Sequence, residues 1–175
     1  GEGRERYGAL LALLPQFDRD IAAAQASGWR LIELALRYDR LAAWRQLGHD
    51  RAVIDEYHAL LAQNADLPYY ALADVAGAYQ RQRRSDLAVP LYEQAIALAG
   101  SALTMPSDTH VGLVYAYIDT ARFEQGEQLL RQLETATPAY LRRSPTPGQA
   151  NPQYGEVRHL RARTHAARAR RGDPS

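Results

Sequence analysis

Residues 69–102 read YYALADVAGAYQRQRRSDLAVPLYEQAIALAGSA, and their pattern of small and large side chains predicts the fold. If Tyr69 is position 1, small residues occupy positions 8 and 20 (Ala76 and Ala88), and aromatic residues occupy positions 11 and 24 (Tyr79 and Tyr92). Small side chains at positions 8 and 20 let two helices cross closely, and large ones at 11 and 24 fill the space beside the crossing. The segment therefore predicts a pair of packed helices.

The same pattern recurs on both sides of this segment. Counting from residue 34 places Trp44 at position 11 and Tyr57 at position 24; counting from residue 107 places Tyr117 at position 11 and Gly126 at position 20. These are the packing positions of the 34-residue tetratricopeptide (TPR) repeat. The sequence predicts an all-α TPR superhelical solenoid of about three repeats plus flanking helices.

The chain is divided accordingly. Pro15 is expected to break the helical material near the amino end, and Gly28 to end it. Pro and Gly residues cluster after the third repeat, which predicts a loop. We expect the 175 residues to be an excised fragment with these parts: capping or partial-repeat helices at 1–33, repeats at 34–67, 69–102 and 107–140, a Pro-rich loop at 141–153, and a helix of a partial repeat with its tail at 154–175.

Composition excludes several kinds of chemistry. The absence of Cys excludes disulfides, thiolate metal sites and Cys nucleophiles. All 21 basic residues are Arg, so Schiff-base chemistry and a P-loop lysine are also excluded. The net charge of +1 is uneven: up to residue 157 there are 15 Arg against 19 acidic residues, whereas residues 158–175 carry six Arg against one Asp. The mildly acidic body argues against nucleic acid as a partner.

A search for catalytic and metal-binding motifs gives nothing. The five His residues are not paired at ligand spacing, and no nucleotide-binding or nucleophile motif occurs. We therefore predict a non-catalytic domain with no metal and no cofactor. The Arg-rich end could attract phosphate or acidic lipid, but a solvated helix end is the preferred interpretation.

The predicted binding surface is the concave face, which the first helix of each TPR repeat would line. Tyr and Asp recur at those positions. Tyr rings offer flat apolar faces to a pyranose, and Asp accepts hydrogen bonds from hydroxyl or ammonium groups. A sugar polymer with free amines would fit, as would a basic peptide. The predicted site residues are Asp74, Tyr115, Tyr70, Asp119, Tyr38, Asp39 and Asp108.

Several segments are similar to one protein family. Residues 67–98, from Leu-Pro-Tyr through Leu91-Tyr92-Glu93, resemble a repeat of the PgaA family, the outer-membrane porins that export poly-β-1,6-N-acetyl-D-glucosamine. Residues 112–117 (GLVYAY) and 38–41 (YDRL) look like the same family, as do Asn151-Pro152 and Tyr154. The resemblance covers roughly residues 35–165.

The resemblance implies a periplasmic domain of a Gram-negative outer-membrane protein, preceding a C-terminal β-barrel. The implied role is to guide partially de-N-acetylated poly-β-1,6-N-acetyl-D-glucosamine to the pore. The implied protein partner is the periplasmic polysaccharide deacetylase of the same system. Asp74 and Tyr115 lie in the best-matched segments, and the other five residues rest on the predicted groove alone.

Two alternatives stay open. A generic TPR adaptor would hold a peptide or a partner helix in the same groove. The TPR region of a cellulose or alginate export system would have a similar groove without a preference for amino sugars. An enzyme is a more distant third.

Overall fold

The computed structural model describes residues 1–103, 107–136 and 152–172, and in the last segment it describes side chains from residue 159 onward. This part of the chain is helical and contains no β-strand, which confirms the all-α prediction. Its helices are α1 (Glu2–Ala26), α2 (Arg30–Leu47), α3 (Asp50–Ala62), α4 (Tyr69–Arg81), α5 (Ser85–Ala99), α6 (Asp108–Asp119), α7 (Phe123–Ala136) and α8 (Pro152–Arg170), with a 3-10 turn at Gly100–Ala102.

The chain divides into two compact units. The first unit, Gly1–Gln82, holds α1 to α4, and the second unit, Arg83–Ser175, holds α5 to α8. In the first unit α2 packs against α1, α3 and α4, and α3 also packs against α4. In the second unit α6 packs against α5, α7 and α8, and α7 also packs against α8. The boundary lies between the two helices of the segment predicted as the second repeat.

Several helices end in a tight turn that contains a residue with positive φ. After α1 and α2 this residue is Gly28 (φ +70°) and Gly48 (φ +74°), and after α6 it is Ala121 (φ +59°). The next backbone N–H bonds to the carbonyl five residues earlier, as in the Schellman motif. These bonds are Trp29 to Ala24 (2.9 Å), His49 to Trp44 (2.9 Å) and Arg122 to Tyr117 (2.8 Å). Gly28 therefore ends the first helix, as predicted.

Pro15 does not break the first helix. It lies inside the continuous helix α1, so the expected break is wrong. Pro15 is exposed, as is Pro90 inside α5. On an exposed face, water can bond to the backbone carbonyl that a proline leaves without its usual partner.

Most of the predicted packing positions are buried. Ala76 and Ala88 are fully buried, and Tyr79, Tyr92 and Tyr117 are also buried. The large residues at positions 11 and 24 of the first predicted repeat, Trp44 and Tyr57, are only half-buried. A Cβ added at Gly126 would lie 3.4 Å from the Cβ of Tyr117, which is ordinary van der Waals contact, so a small residue fits between α6 and α7 at this point. Small residues at these positions allow the close helix crossings that the pattern predicted.

A contact between aromatic and polar side chains recurs at equivalent positions. The Tyr79 hydroxyl lies 3.1 Å from Nε2 of His58, and the Tyr117 hydroxyl donates to Oε1 of Glu93 at 2.6 Å. In the TPR numbering, both pairs join position 11 of one segment to position 25 of the preceding one.

A second recurring contact involves helix ends. Arg81 Nε donates to Asp50 Oδ1 at 2.8 Å, and Ser85 Oγ donates to Asp119 Oδ2 at 3.0 Å. Both pairs join position 13 of one segment to position 17 of the preceding one. Each unit thus contains one example of each contact.

A buried ion network joins α2 to α3 in the first unit. Arg37, which is 5% exposed, donates to Glu56 at 2.6 Å and to Glu33 at 3.3 Å. Burial alone would raise the pKa of Glu33. Hydrogen bonds from Gln25, Arg30 and Arg37, together with the charge of Arg30, outweigh burial and hold that pKa below its ordinary value.

Some sequence-based predictions fall outside the described residues. The end of the third repeat and most of the Pro-rich loop lie within 137–151, which the structure does not describe. Pro152, placed in that loop, is the first residue of α8. Within the described ranges, no helix combines the length and apolar character needed to cross a membrane.

Candidate functional site

The seven predicted site residues lie on three helices. Tyr38 and Asp39 are on α2 and Tyr70 and Asp74 are on α4, all in the first unit; α6 of the second unit carries the remaining three, Asp108, Tyr115 and Asp119. We describe the two groups separately, because they belong to different compact units.

A cavity of about 630 Å³ brings two of these residues together in the first unit. It opens between the start of α2, the segment 63–68 and the start of α4. Tyr38 and Tyr70 both line it, with Leu31 and Leu34 on the α2 side. A cavity of this size falls in the range of small-molecule sites.

The two tyrosines have different roles at this cavity. Tyr38 is buried, and its hydroxyl donates to the backbone carbonyl of Asp66 at 2.9 Å. Burial raises the pKa of Tyr38, so its hydroxyl stays protonated and fixes the segment before α4. Tyr70 is 47% exposed and meets Tyr69 edge-on, with ring centres 5.6 Å apart. Tyr70 is the aromatic face that a ligand can reach.

Asp74 is paired within the protein. Arg45 Nε lies 3.1 Å from Asp74 Oδ1, joining α2 to α4. Burial raises the pKa of Asp74, while the charges of Arg45 and Arg81 act in the opposite direction. Burial outweighs these charges, so the pKa of Asp74 stays above its ordinary value. Asp39 is instead exposed on α2, and Asp66 is exposed beside the cavity.

In the second unit, two predicted site residues have partners on other helices. Asp119 accepts the hydrogen bond from Ser85 at the start of α5. The guanidinium of Arg163, on α8, lies 4.9 Å from the centre of the Tyr115 ring, which is cation–π geometry. Asp108 is exposed at the first turn of α6, where the helix dipole favours a carboxylate. None of these three residues lines the cavity between α5, α6 and α7 or the smaller one between α7 and α8.

Part of the Arg-rich end is used in packing. Arg161 Nε donates to Glu134 at 2.8 Å, and Arg168 pairs with Glu127 at 2.5 Å, both on α7. With Arg163 on Tyr115, these contacts attach α8 to its neighbours. Arg170 and Arg171 are exposed at the end of the described segment. Much of the positive charge counted in the sequence thus serves to hold the helix.

The sequence did not predict a second cavity, which is lined by Tyr117 and by both apolar and polar side chains. Glu93, His110 and three Gln residues of α7 line a cavity of about 360 Å³ in the second unit. The available signal was the spacing of Gln125, Gln128 and Gln132, which places three amides on one face of a helix.

Comparison with known proteins gives no relative, since no protein-family model, curated protein or solved structure matches the chain. In the described residues, no group of three or more His, Asp or Glu side chains could hold a metal ion. The function is therefore argued from the surfaces themselves.

Proposed function

We propose that this chain is a non-catalytic helical-repeat domain of the TPR type that binds a sugar polymer. Support for the repeat comes from the two contacts that recur at equivalent positions, Tyr79–His58 with Tyr117–Glu93 and Arg81–Asp50 with Ser85–Asp119. Contacts that recur in this way are expected when similar helix pairs stack on one another.

The observation that carries sugar binding is the cavity edged by Tyr70. An exposed tyrosine ring beside apolar Leu31 and Leu34 offers a surface for the C–H face of a pyranose. Asp66 at the rim and Asp39 on α2 are carboxylates that can accept hydrogen bonds from hydroxyl or ammonium groups. Because Asp74 is half-buried and already paired with Arg45, it is a secondary contributor.

The proposed ligand is partially de-N-acetylated poly-β-1,6-N-acetyl-D-glucosamine, and the proposed role is to guide this polymer toward an outer-membrane β-barrel in the periplasm. The polymer identity, the deacetylase partner and the location come from the sequence resemblance. A conduit must release what it holds, so binding is expected to be weak and repeated along the polymer.

The experiment is a calorimetric or NMR titration of the full chain with β-1,6-glucosamine oligomers, acetylated and partly deacetylated. Tyr70→Ala should weaken binding roughly three- to tenfold, as expected for loss of one aromatic contact. Tyr7→Ala is the matched control, since Tyr7 is also 47% exposed but lies away from the cavity. Equal effects of the two variants, or no binding of either oligomer, would contradict the proposal.

A protein-binding adaptor is the second candidate, and one observation favours it. Trp29, Leu31 and Ile32 are exposed together at the start of α2, and Leu31 is 83% exposed. Large apolar residues at neighbouring exposed positions are typical of protein interaction surfaces. If Leu31→Ser abolished capture of a protein partner while Tyr70→Ala had no effect on oligosaccharides, the adaptor would replace the sugar-binding proposal.

A further inference from the structure

The cavity of the second unit is lined by both apolar and hydrogen-bonding side chains. It measures about 360 Å³ and lies between α5, α6 and α7. Ile96, Leu113 and Leu129 supply apolar surface, and the remaining lining is mostly polar. None of the seven predicted site residues lines this cavity.

Glu93 supplies a carboxylate without a cationic partner. Its Oε1 accepts the Tyr117 hydroxyl at 2.6 Å, and in the described part of the chain Glu93 forms no ion pair. Burial raises the pKa of Tyr117, and the hydrogen bond to Glu93 raises it further, so the hydroxyl remains a donor. One carboxylate oxygen and the negative charge are left for a ligand.

His110 supplies a neutral ring. It is buried, and the Ser107 hydroxyl oxygen lies 2.6 Å from its Nδ1 and also accepts the His110 backbone N–H at 3.4 Å. Burial lowers the pKa of His110, so the imidazole is neutral at pH 7. If the Ser107 hydroxyl donates to Nδ1, the ring proton is on Nε2. None of the hydrogen bonds among described residues uses Nε2.

Three glutamine amides of α7 also line this cavity. Gln125, Gln128 and Gln132 are spaced three and four residues apart, which places them on one face of α7. Each amide offers both a donor and an acceptor. Such a row suits a ligand with several hydroxyl groups better than a hydrocarbon.

We propose that this cavity binds a small hydroxylated molecule with a protonated primary amine, such as an amino sugar. The ammonium would pair with Glu93, the hydroxyl groups with the Gln amides and His110, and the C–H face with Leu113 and Leu129. The site is separate from the cavity edged by Tyr70, so the inference does not rest on the proposed function.

The first test is an NMR titration of the full chain with three probes: glucosamine, N-acetylglucosamine and putrescine. N-acetylglucosamine lacks the charge, and putrescine lacks the hydroxyl groups. Glucosamine should shift amide signals of α5, α6 and α7 and bind about tenfold more tightly than either of the other probes. Equal affinity for all three, or shifts confined to other helices, would overturn the proposal.

The second test uses variants of the full chain. Glu93→Gln keeps an acceptor for Tyr117 but removes the charge, and it should weaken glucosamine binding about tenfold. Glu124→Gln is the control, because Glu124 is exposed on α7 outside the cavity. Unchanged affinity in Glu93→Gln would overturn the proposal.

A third variant avoids any effect on folding. Gln128 and Gln132 are exposed, so replacing both with Ala leaves the core intact. If Glu93→Gln does not fold, this double variant decides: a loss of affinity of at least threefold supports the site, and unchanged affinity contradicts it. Tyr70→Ala should not change glucosamine binding at this cavity, which distinguishes this site from the one in the first unit.

Discussion

At the scale of single residues, a close contact between α5 and α6 restricts one glycine. A Cβ added at Gly112 would lie 2.7 Å from both Cζ and Oη of Tyr92, and Tyr92 is itself buried. A buried ring cannot move aside easily, so no larger residue fits at Gly112.

Gly112→Ala is therefore expected to lower the free energy of unfolding by about 1–3 kcal/mol through overpacking. The matched control is Gly8→Ala in α1, where an added Cβ meets nothing within 4 Å. That change should raise helix stability by roughly 0.5–1 kcal/mol. Urea unfolding of both variants measures the difference, and equal stabilities would show that the Tyr92 contact does not restrict Gly112.

The buried Arg37 is a second residue with a large expected effect. Arg37→Ala would leave Glu33 paired only with Arg30 and Glu56 paired only with Arg40. Because each buried carboxylate keeps one cation, we expect a loss of about 2–3 kcal/mol in the free energy of unfolding, below that for an unpaired buried charge. Arg51→Ala on the exposed face of α3 should change it by less than about 0.5 kcal/mol. A small effect at Arg37 would mean that water enters the network.

The sequence predicted residues that pack more reliably than residues that bind. The fixed spacing of small and large residues within each helix pair assigns Tyr79, Tyr92, Tyr117 and Trp44 to packing. The three tyrosines are buried, and Trp44 is half-buried. The partners of Asp74 and Tyr115 could not be predicted in this way. Arg45 and Arg163 come from other helices, and Arg163 follows the Pro-rich segment, so the pairing depends on how helices stack.

At the scale of helices and turns, the end of a helix can be predicted from the sequence when the left-handed residue that follows the helix is a glycine. Gly28 and Gly48 adopt positive φ at no steric cost, whereas Ala121 does so despite its Cβ. Helix ends at Gly28 and Gly48 are therefore readable from the sequence, but the end after α6 is not. Pro15 shows the opposite case, since an exposed proline is tolerated inside a helix and gives a false end.

The turns give a pair of opposite predictions. Ala121→Gly should raise the free energy of unfolding by roughly 0.5–1 kcal/mol, because it relieves a left-handed alanine. Gly48→Ala should lower the free energy of unfolding by about 1 kcal/mol, because it places an alanine in the left-handed conformation. Thermal unfolding of both variants tests the sign. A change in the same direction in both would contradict this account of the turns.

At the scale of the whole molecule, the two units contain different titrating groups. In the first unit, the pKa of Glu33 is lowered in the folded state, so its stabilising contribution is present above its unfolded pKa and is lost as the pH falls through the folded value. In the second unit, the pKa of His110 is lowered below 6.5, so stability is lost as the pH falls from 6.5 toward the folded value. The His110 loss begins at the higher pH.

The second unit is thus expected to lose stability first on mild acidification, by at most about 1.4 kcal/mol per pH unit from His110. Both tryptophans, Trp29 and Trp44, belong to the first unit, so their fluorescence follows that unit alone. Circular dichroism follows all helices. Between pH 7 and pH 5.5 the dichroism midpoint should fall while the Trp midpoint does not, and His110→Gln should abolish the difference. Identical shifts of both midpoints would contradict the assignment.

The recurring contacts between helix ends have a consequence for the order of the segments. In the first unit the later helix supplies the cation, Arg81 to Asp50, whereas in the second unit the later helix supplies the acceptor, Asp119 from Ser85. If α6 were transplanted onto the first unit in place of α4, Asp119 would face Asp50, and two carboxylates would repel. The helix pairs are therefore not interchangeable. A chain in which they were exchanged would be less stable at the contact where two carboxylates meet.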